Sequence, residues 1–172
     1  MLFLRRVEYG MKPIDYLKTE YHDDRHWKLL DRSKKIKEYF DKYVDKNDTI
    51  LELGCSSGRN LVELYKVGYK KLNGLEMFPV KQLPEFKLIK ERYEDYEHKE
   101  YDIIFSASFL QEFERFPQEQ FNKTLQKTKK YFMIFGDYLG NWEHPGFKII
   151  EKTNPDYPFS EPIIILKKYG TN

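Results

Sequence analysis

Thr49-Ile50-Leu51-Glu52-Leu53-Gly54-Cys55-Ser56-Ser57-Gly58-Arg59-Asn60 is an apolar run that closes on an acid and a glycine, passes two serines and reaches a second glycine. An apolar stretch of this length bounded by glycine reads as a buried strand, and the residues from Arg59 onward read as a helix. Glycine and serine are ordinary in the turn between them. Glu52 is not ordinary, because a carboxylate at the end of an apolar strand is costly to bury without a partner.

Downstream, short apolar runs alternate with polar, helix-prone stretches, the pattern of a sheet wrapped by helices. Seven strands are expected, at Thr49–Leu53, Lys71–Glu76, Phe86–Ile89, Tyr101–Ser106, Lys130–Gly136, Phe147–Lys152 and Ile163–Lys167. One helix runs from Arg59 to Val67 and stops at Gly68; another starts near Pro117 and turns Phe121 and Leu125 inward. Nine residues separate Glu76 from Phe86, and Pro79 and Pro84 are among them, so this crossover has room for one turn of helix at most. The connection from Thr153 to Pro162 holds three prolines and no helical pattern, which makes the last two strands an expected antiparallel pair.

Upstream, Trp27, Leu30, Ile36, Phe40 and Val44 recur at roughly helical spacing, predicting an amphipathic helix over about 24–45 with Asp23 or Asp24 as its cap. Pro13 to Tyr21 reads as a shorter helix. The expected organisation is one compact domain, with a helical N-terminal cap over 1–48 and an α/β core over 49–172.

At 172 residues the chain is long enough for one sizeable core and short for two. Charged residues reach 34%, but 17% aromatic content supplies the buried area that a disordered chain lacks. A net charge of +2 gives no electrostatic reason to expect nucleic acid as partner. Cys55 is the single cysteine, so no internal disulfide and no thiolate metal cluster is available. The histidines His22, His26, His98 and His144 lack the paired spacing of a zinc site, so no metal is expected. With no signal-length apolar segment and no membrane-spanning stretch, a soluble cytoplasmic protein is the expectation.

Three chemistries compete for the opening stretch. Gly54-Cys55-Ser56-Ser57-Gly58 fits G-x-S-x-G, the elbow that presents a nucleophilic serine, and Asp137 and His144 follow in triad order. A hydrolase sheet, however, places several strands before its elbow, whereas helix precedes Thr49, and no HGG-like oxyanion loop is present. A dinucleotide fingerprint needs glycine where Arg59 stands, and a P-loop needs glycine and lysine where Arg59 and Asn60 stand. What remains is E-x-G-x-S-x-G after a first strand, with a second acid, Glu76, ending the next strand. A carboxylate there suits the two vicinal hydroxyls of a ribose.

On these residues the sequence resembles the class I S-adenosylmethionine-dependent methyltransferases from about Tyr21 to the C-terminus. Glu52–Gly58 is similar to the family's first motif, with Ser56 in place of its middle glycine. Leu75-Glu76 is similar to its ribose-binding acid, and Tyr101-Asp102-Ile103-Ile104-Phe105-Ser106 to its fourth-strand motif. GCSSGRNL followed by KVGYKKLNGLEM is most similar to small stand-alone enzymes acting on metabolites or sugars. The resemblance implies a Rossmann-like seven-stranded α/β sheet, mostly parallel with an antiparallel C-terminal strand, helices on both faces and a helical N-terminal cap.

It also implies a site. Gly54, Ser56 and Gly58 let the backbone approach the methionine part of S-adenosylmethionine, and the helix N-terminus at Arg59 faces its carboxylate. Glu52 lies near the ammonium, Glu76 takes the ribose, and Glu94 or Asp95 accepts from the adenine amine. Ser106 borders the methionine side, Asn60 and Met77 complete the cofactor set, and Tyr21 and Trp27 are candidates for a lid. The acceptor is expected to be a small molecule, beyond the fourth and fifth strands near Phe109, Gln111, Glu112, Asp137, Tyr138, Trp142 and His144. His144, with its near-neutral ordinary pKa, and Glu112 are the candidate catalytic groups. Methyl transfer in line with an excellent leaving group needs a base only when the acceptor must lose a proton. An Asn-Pro-Pro-Tyr segment, the family's mark of amino methylation on bases or glutamine, is absent. The product is S-adenosylhomocysteine. A non-catalytic cofactor-binding subunit and a serine hydrolase using Ser56 are the alternative readings, and the oligomeric state is not legible.

Overall fold

The computed structural model describes residues 26–77, 83–97, 99–109, 118–136, 144–153 and 162–170, with backbone only for 26–31. Along the chain run α1 (His26–Tyr43), β1 (Ile50–Leu53), α2 (Arg59–Lys66), β2 (Leu72–Leu75), β3 (Lys87–Ile89), β4 (Tyr101–Ala107), α3 (Gln118–Lys127), β5 (Thr128–Phe135), β6 (Phe147–Thr153) and β7 (Ile163–Lys168). The strands form one seven-stranded sheet in the order β3-β2-β1-β4-β5-β7-β6. β3, β2, β1, β4 and β5 are parallel to their neighbours, whereas β7 is antiparallel to both β5 and β6.

Alternation along the central strands builds two cores. Ile50, Ile103, Phe105, Met133, Phe135 and Ile165 face one way and pack beneath α1 and α2 with Ile36, Phe40, Leu61 and Leu64. Leu51, Leu53, Ile104, Phe132 and Ile134 face the other way and pack against Phe121 and Leu125 of α3. A sheet covered on both faces needs apolar residues at consecutive positions, which is why Ile50–Leu53 is buried throughout. On α1, Ile36 and Phe40 bury at the spacing of one helix face, continued by Val44 just past its end, and Phe40 meets Tyr69 and Phe105 edge-on. Each such fully buried side chain contributes about 1.5–3 kcal/mol. α2 ends with Gly68 N–H donating to Tyr65 O and Tyr69 N–H to Leu64 O, bonds that satisfy its last carbonyls.

At the amino-terminal edge, Asp102 joins β4 to the start of β1. Its Oδ2 accepts from Thr49 N–H at 2.9 Å and Thr49 Oγ1 at 2.7 Å, and Thr49 Oγ1 accepts from Asp102 N–H at 3.0 Å. Partial burial disfavours the charge, but the Thr49 hydrogen bonds and the nearby Lys130 and Lys129 outweigh it and hold Asp102 below its ordinary pKa. This depressed group stabilises the fold above its unfolded pKa and loses that contribution as pH falls through the folded value. Asp102→Asn is therefore expected to cost about 1 kcal/mol at pH 7, with the deficit shrinking as pH falls below the ordinary value of 3.8, in denaturant titrations at neutral and at acidic pH.

No helix among the described residues is long and apolar enough to cross a membrane. The strands and helices expected from sequence occur within one or two residues of the expected positions. The crossover between β2 and β3 shows no helix in its described part. The expected shorter helix near Pro13 lies outside the described residues.

Candidate functional site

In this strand order the chain leaves β1 for β2 on one side and later enters β4 on the other. Ligands bind at the carboxyl ends of strands at such a reversal point. The turn from Leu53 to Arg59 sits there. Gly54, Ser56 and Gly58 take φ values of 63°, 50° and 78° in the left-handed region, where glycine carries no steric penalty and serine carries some. The close approach at both glycines is to the chain's own aromatic rings. A Cβ on Gly54 would run into Phe109 and one on Gly58 into Phe86. On that side of the turn, packing accounts for the glycines, in place of the open approach expected from the motif.

Alternation aims Glu52 towards the α1 and α2 face, where it is only 2% exposed. Its Oε1 accepts from Asn60 Nδ2 at 2.6 Å, and Asn60 Oδ1 accepts from Ser33 Oγ at 2.7 Å. Oε2 is buried with no hydrogen-bond partner among the described residues. Burial pushes the Glu52 carboxyl up to about 8, against the pull of the Asn60 hydrogen bond and of Arg59 and Arg32, while Glu76 adds to the rise. A buried acceptor without a donor, flanked by bound polar groups, is a seat for a cationic donor.

Glu76 follows β2, its N–H bonded to Ile89 O at 3.0 Å, and its Oε2 accepts from Ser56 N–H at 2.9 Å. The second acid therefore stands against the turn that follows the first. α2 begins at Arg59, and its N-cap residue, Gly58, makes no side-chain capping bond. At the tip of β4, Ser106 pairs with Leu53 and is fully buried; Ser108 follows at φ 63°, its buried Oγ without a partner among the described residues.

The turn carrying Glu94 and Asp95 is held from behind. Gln120 Nε2 of α3 donates to Tyr93 O at 2.5 Å and Tyr96 O at 3.0 Å, Tyr93 Oη meets Thr124 Oγ1 at 2.8 Å, and Tyr96 Oη meets Tyr101 Oη at 3.0 Å. Asp95 is mostly exposed and Glu94 less so, both within reach of Arg92 at 3.9 Å and 3.5 Å. Gln120, like Ser33, carries no motif signal in sequence.

The structure thus brings together Glu52, Gly54, Ser56, Gly58, Asn60, Glu76 and Ser106. Asn60 lies behind Glu52 with its amide engaged on both sides, so it supports that acid instead of lining the opening. Met77 is half-exposed beside Glu76. His144 is not brought to the site. β6 starts at Phe147 opposite Lys168, whose Nζ reaches Thr128 O at the beginning of β5, so His144 lies at the amino-terminal edge, beyond the far end of the strands from Glu52. A base for chemistry at the carboxyl edge is misplaced there, and a Ser56–His144 pairing for hydrolysis has the same obstacle. Tyr21, Gln111, Glu112, Asp137, Tyr138 and Trp142 lie outside the described residues, as does the side chain of Trp27. Among the described residues no group of three or more His, Cys, Asp or Glu is placed to hold a metal ion.

No known family model matches the chain, and no curated protein matches it in sequence. Solved structures of similar shape do. A SAM-dependent methyltransferase from Aquifex aeolicus superposes with a TM-score of 0.62 at 15% identity, over 92% of this chain and 98% of that one. Magnesium protoporphyrin IX methyltransferase from Synechocystis PCC 6803, solved with bound SAM, gives 0.63 at 11% identity over 93% and 87%. Burkholderia thailandensis 1,6-didemethyltoxoflavin-N1-methyltransferase, solved with bound 1,6-didemethyltoxoflavin and S-adenosylhomocysteine, gives 0.61 at 11% identity over 92% and 91%. The mostly parallel seven-stranded sheet with its antiparallel last strand is thus a fold shared with these solved methyltransferases.

Proposed function

We propose that the chain binds S-adenosylmethionine across the carboxyl ends of β1 and β2 and transfers its methyl group to a small-molecule acceptor. The carrying observation is the unsatisfied, buried Oε2 of Glu52 beside a left-handed turn, with the Glu76 carboxylate hydrogen-bonded to that same turn at Ser56 N–H. The pair suits a ligand with a cationic amine at one end and a ribose diol further along. Glu52 would hold the ammonium, Glu76 the ribose hydroxyls, the N-terminus of α2 the carboxylate, and the Gln120-braced turn with Glu94 or Asp95 the adenine amine. The cofactor supplies, when bound, a methyl group on sulfonium, a good leaving group for in-line displacement.

For such chemistry the chain's tasks are to orient two reactants and exclude water. The rings of Phe109 and Phe86 under the turn and the buried tip of β4 furnish rigid, apolar support. Similar shape is shared with magnesium protoporphyrin IX methyltransferase and 1,6-didemethyltoxoflavin-N1-methyltransferase, which favours a small molecule as acceptor.

Titration calorimetry with S-adenosylmethionine and S-adenosylhomocysteine tests the cofactor, and is expected to show one site. Glu76→Ala is expected to weaken binding by about 100-fold or more, because two charge-assisted hydrogen bonds of about 1.5–3 kcal/mol each are lost. Affinity equal to wild type would remove Glu76 from the ribose. Methyl-labelled cofactor incubated with the protein and cell extract tests transfer. Tight binding with no labelled product would favour a cofactor-binding partner subunit over an enzyme.

A further inference from the structure

We propose that Ser33 of α1 is a positioning residue for Glu52, acting through Asn60, so that the N-terminal helix sets the carboxylate that receives the cofactor's ammonium. The ligand half of this inference rests on the function proposed above; the relay itself does not.

Ser33, Asn60 and Glu52 come from three elements, α1, the first turn of α2 and β1, and are 4%, 7% and 2% exposed. Two hydrogen bonds of 2.7 Å and 2.6 Å connect them in a line. An asparagine amide has a donor end and an acceptor end, and only its donor end is compatible with an ionised carboxylate. When Nδ2 faces Glu52, Oδ1 necessarily faces away and needs a donor of its own in a place without water. Ser33 is that donor. Its hydroxyl makes the arrangement in which Glu52 is charged fully satisfied along the relay.

Removing the hydroxyl strands Oδ1 in that arrangement, at the cost of a buried unsatisfied acceptor. Rotating the amide then brings Oδ1 to Glu52, which tolerates it only as a protonated acid. A serine hydroxyl can also accept, so a rotated amide would find a partner too; in the arrangement observed it donates to Oδ1, and a donor there polarises the amide and strengthens its bond to an ionised Glu52 Oε1, leaving Oε2 as the acceptor open to a ligand. The other charged groups acting on Glu52 are Arg32 on α1, Arg59 on α2 and Glu76 after β2. The Cys55 thiol, pushed up by burial and by the two acids, stays neutral beside them.

The test follows the Glu52 carboxyl carbon by 13C NMR in the ligand-free protein as pH is varied, with its signal assigned by its loss in Glu52→Gln. Ser33→Ala is expected to raise the titration midpoint by about one pH unit, and Ser33→Thr, which keeps the hydroxyl, to restore it to near the wild-type value. In calorimetry at pH 7, Ser33→Ala should bind S-adenosylhomocysteine about tenfold more weakly and release more protons on binding, measured across buffers of different ionisation enthalpy. A midpoint unchanged in Ser33→Ala would overturn the relay. Should the extra methyl of Thr disturb the helix, Ser33→Gly offers a second hydroxyl-free variant, and an unmoved midpoint there overturns it equally. A raised midpoint in a protein whose wild type binds no S-adenosylhomocysteine would overturn the cofactor assignment and leave the relay standing.

Discussion

Glu52→Gln is expected to stabilise the ligand-free protein at pH 8 while weakening cofactor binding on the order of 100-fold. Both effects have one cause. The folded Glu52 carboxyl is pushed up to about 8, chiefly by burial, whereas in the unfolded chain it titrates near the ordinary value of 4.5. Between these values the folded state holds a proton that the unfolded state has lost. The contribution of the neutral buried acid is complete below about pH 4.5 and disappears as pH rises through about 8. Over that window the wild type forfeits roughly 4 kcal/mol. Glutamine is neutral at every pH and keeps the acceptor for Asn60 Nδ2. Thermal denaturation should show similar midpoints for variant and wild type near pH 5, and a variant midpoint higher on the order of 10 °C at pH 8. The lost affinity reflects the loss of a charged partner for the ammonium. A site that is less stable empty than its neutral isostere is the usual mark of a residue kept for binding.

Gly58→Ala is expected to be among the most destabilising single changes in the chain. Two costs add at this position. The backbone at φ 78° is left-handed, which asks about 1–2 kcal/mol of a residue with a Cβ. The new Cβ would also overlap the Phe86 ring, which is buried against the turn. Displacing a packed ring costs a further 1–3 kcal/mol or so. A loss of about 3 kcal/mol lowers the melting midpoint by roughly 8 °C in a domain of this size. Gly58→Ala combined with Phe86→Leu should fall short of the sum of the single losses, because the smaller side chain leaves room for the methyl. Additive losses would show that strain in the backbone alone accounts for the glycine.

The parts of the fold that could be read in sequence are those where one residue's environment decides its type. Strands covered on both faces must be apolar at successive positions, so Ile50–Leu53 and Ile163–Leu166 announce themselves. Glu52 was legible for the opposite reason, as an acid where burial forbids one without a purpose. Ser33 was not legible. In a helix whose apolar positions repeat every three to four residues, a serine among lysines and arginines reads as part of the solvated face. Only the packing of α1 on α2 gives it a partner. Gln120 hides in the same way within a polar helix, its two carbonyl partners lying more than twenty residues away. His144 follows β5 closely in sequence, yet Gly136 stands at the carboxyl edge and His144 at the amino-terminal edge, a separation that linear order does not record.

The most direct measurement is a crystal structure of the protein with S-adenosylhomocysteine. The ligand's amino group should lie within hydrogen-bond distance, about 3 Å, of Glu52 Oε2, with its ribose hydroxyls on Glu76 and its adenine beside the turn that Gln120 holds. Ligand density away from the tips of β1 and β2, or a Glu52 Oε2 still without a donor in the complex, would contradict the assignment.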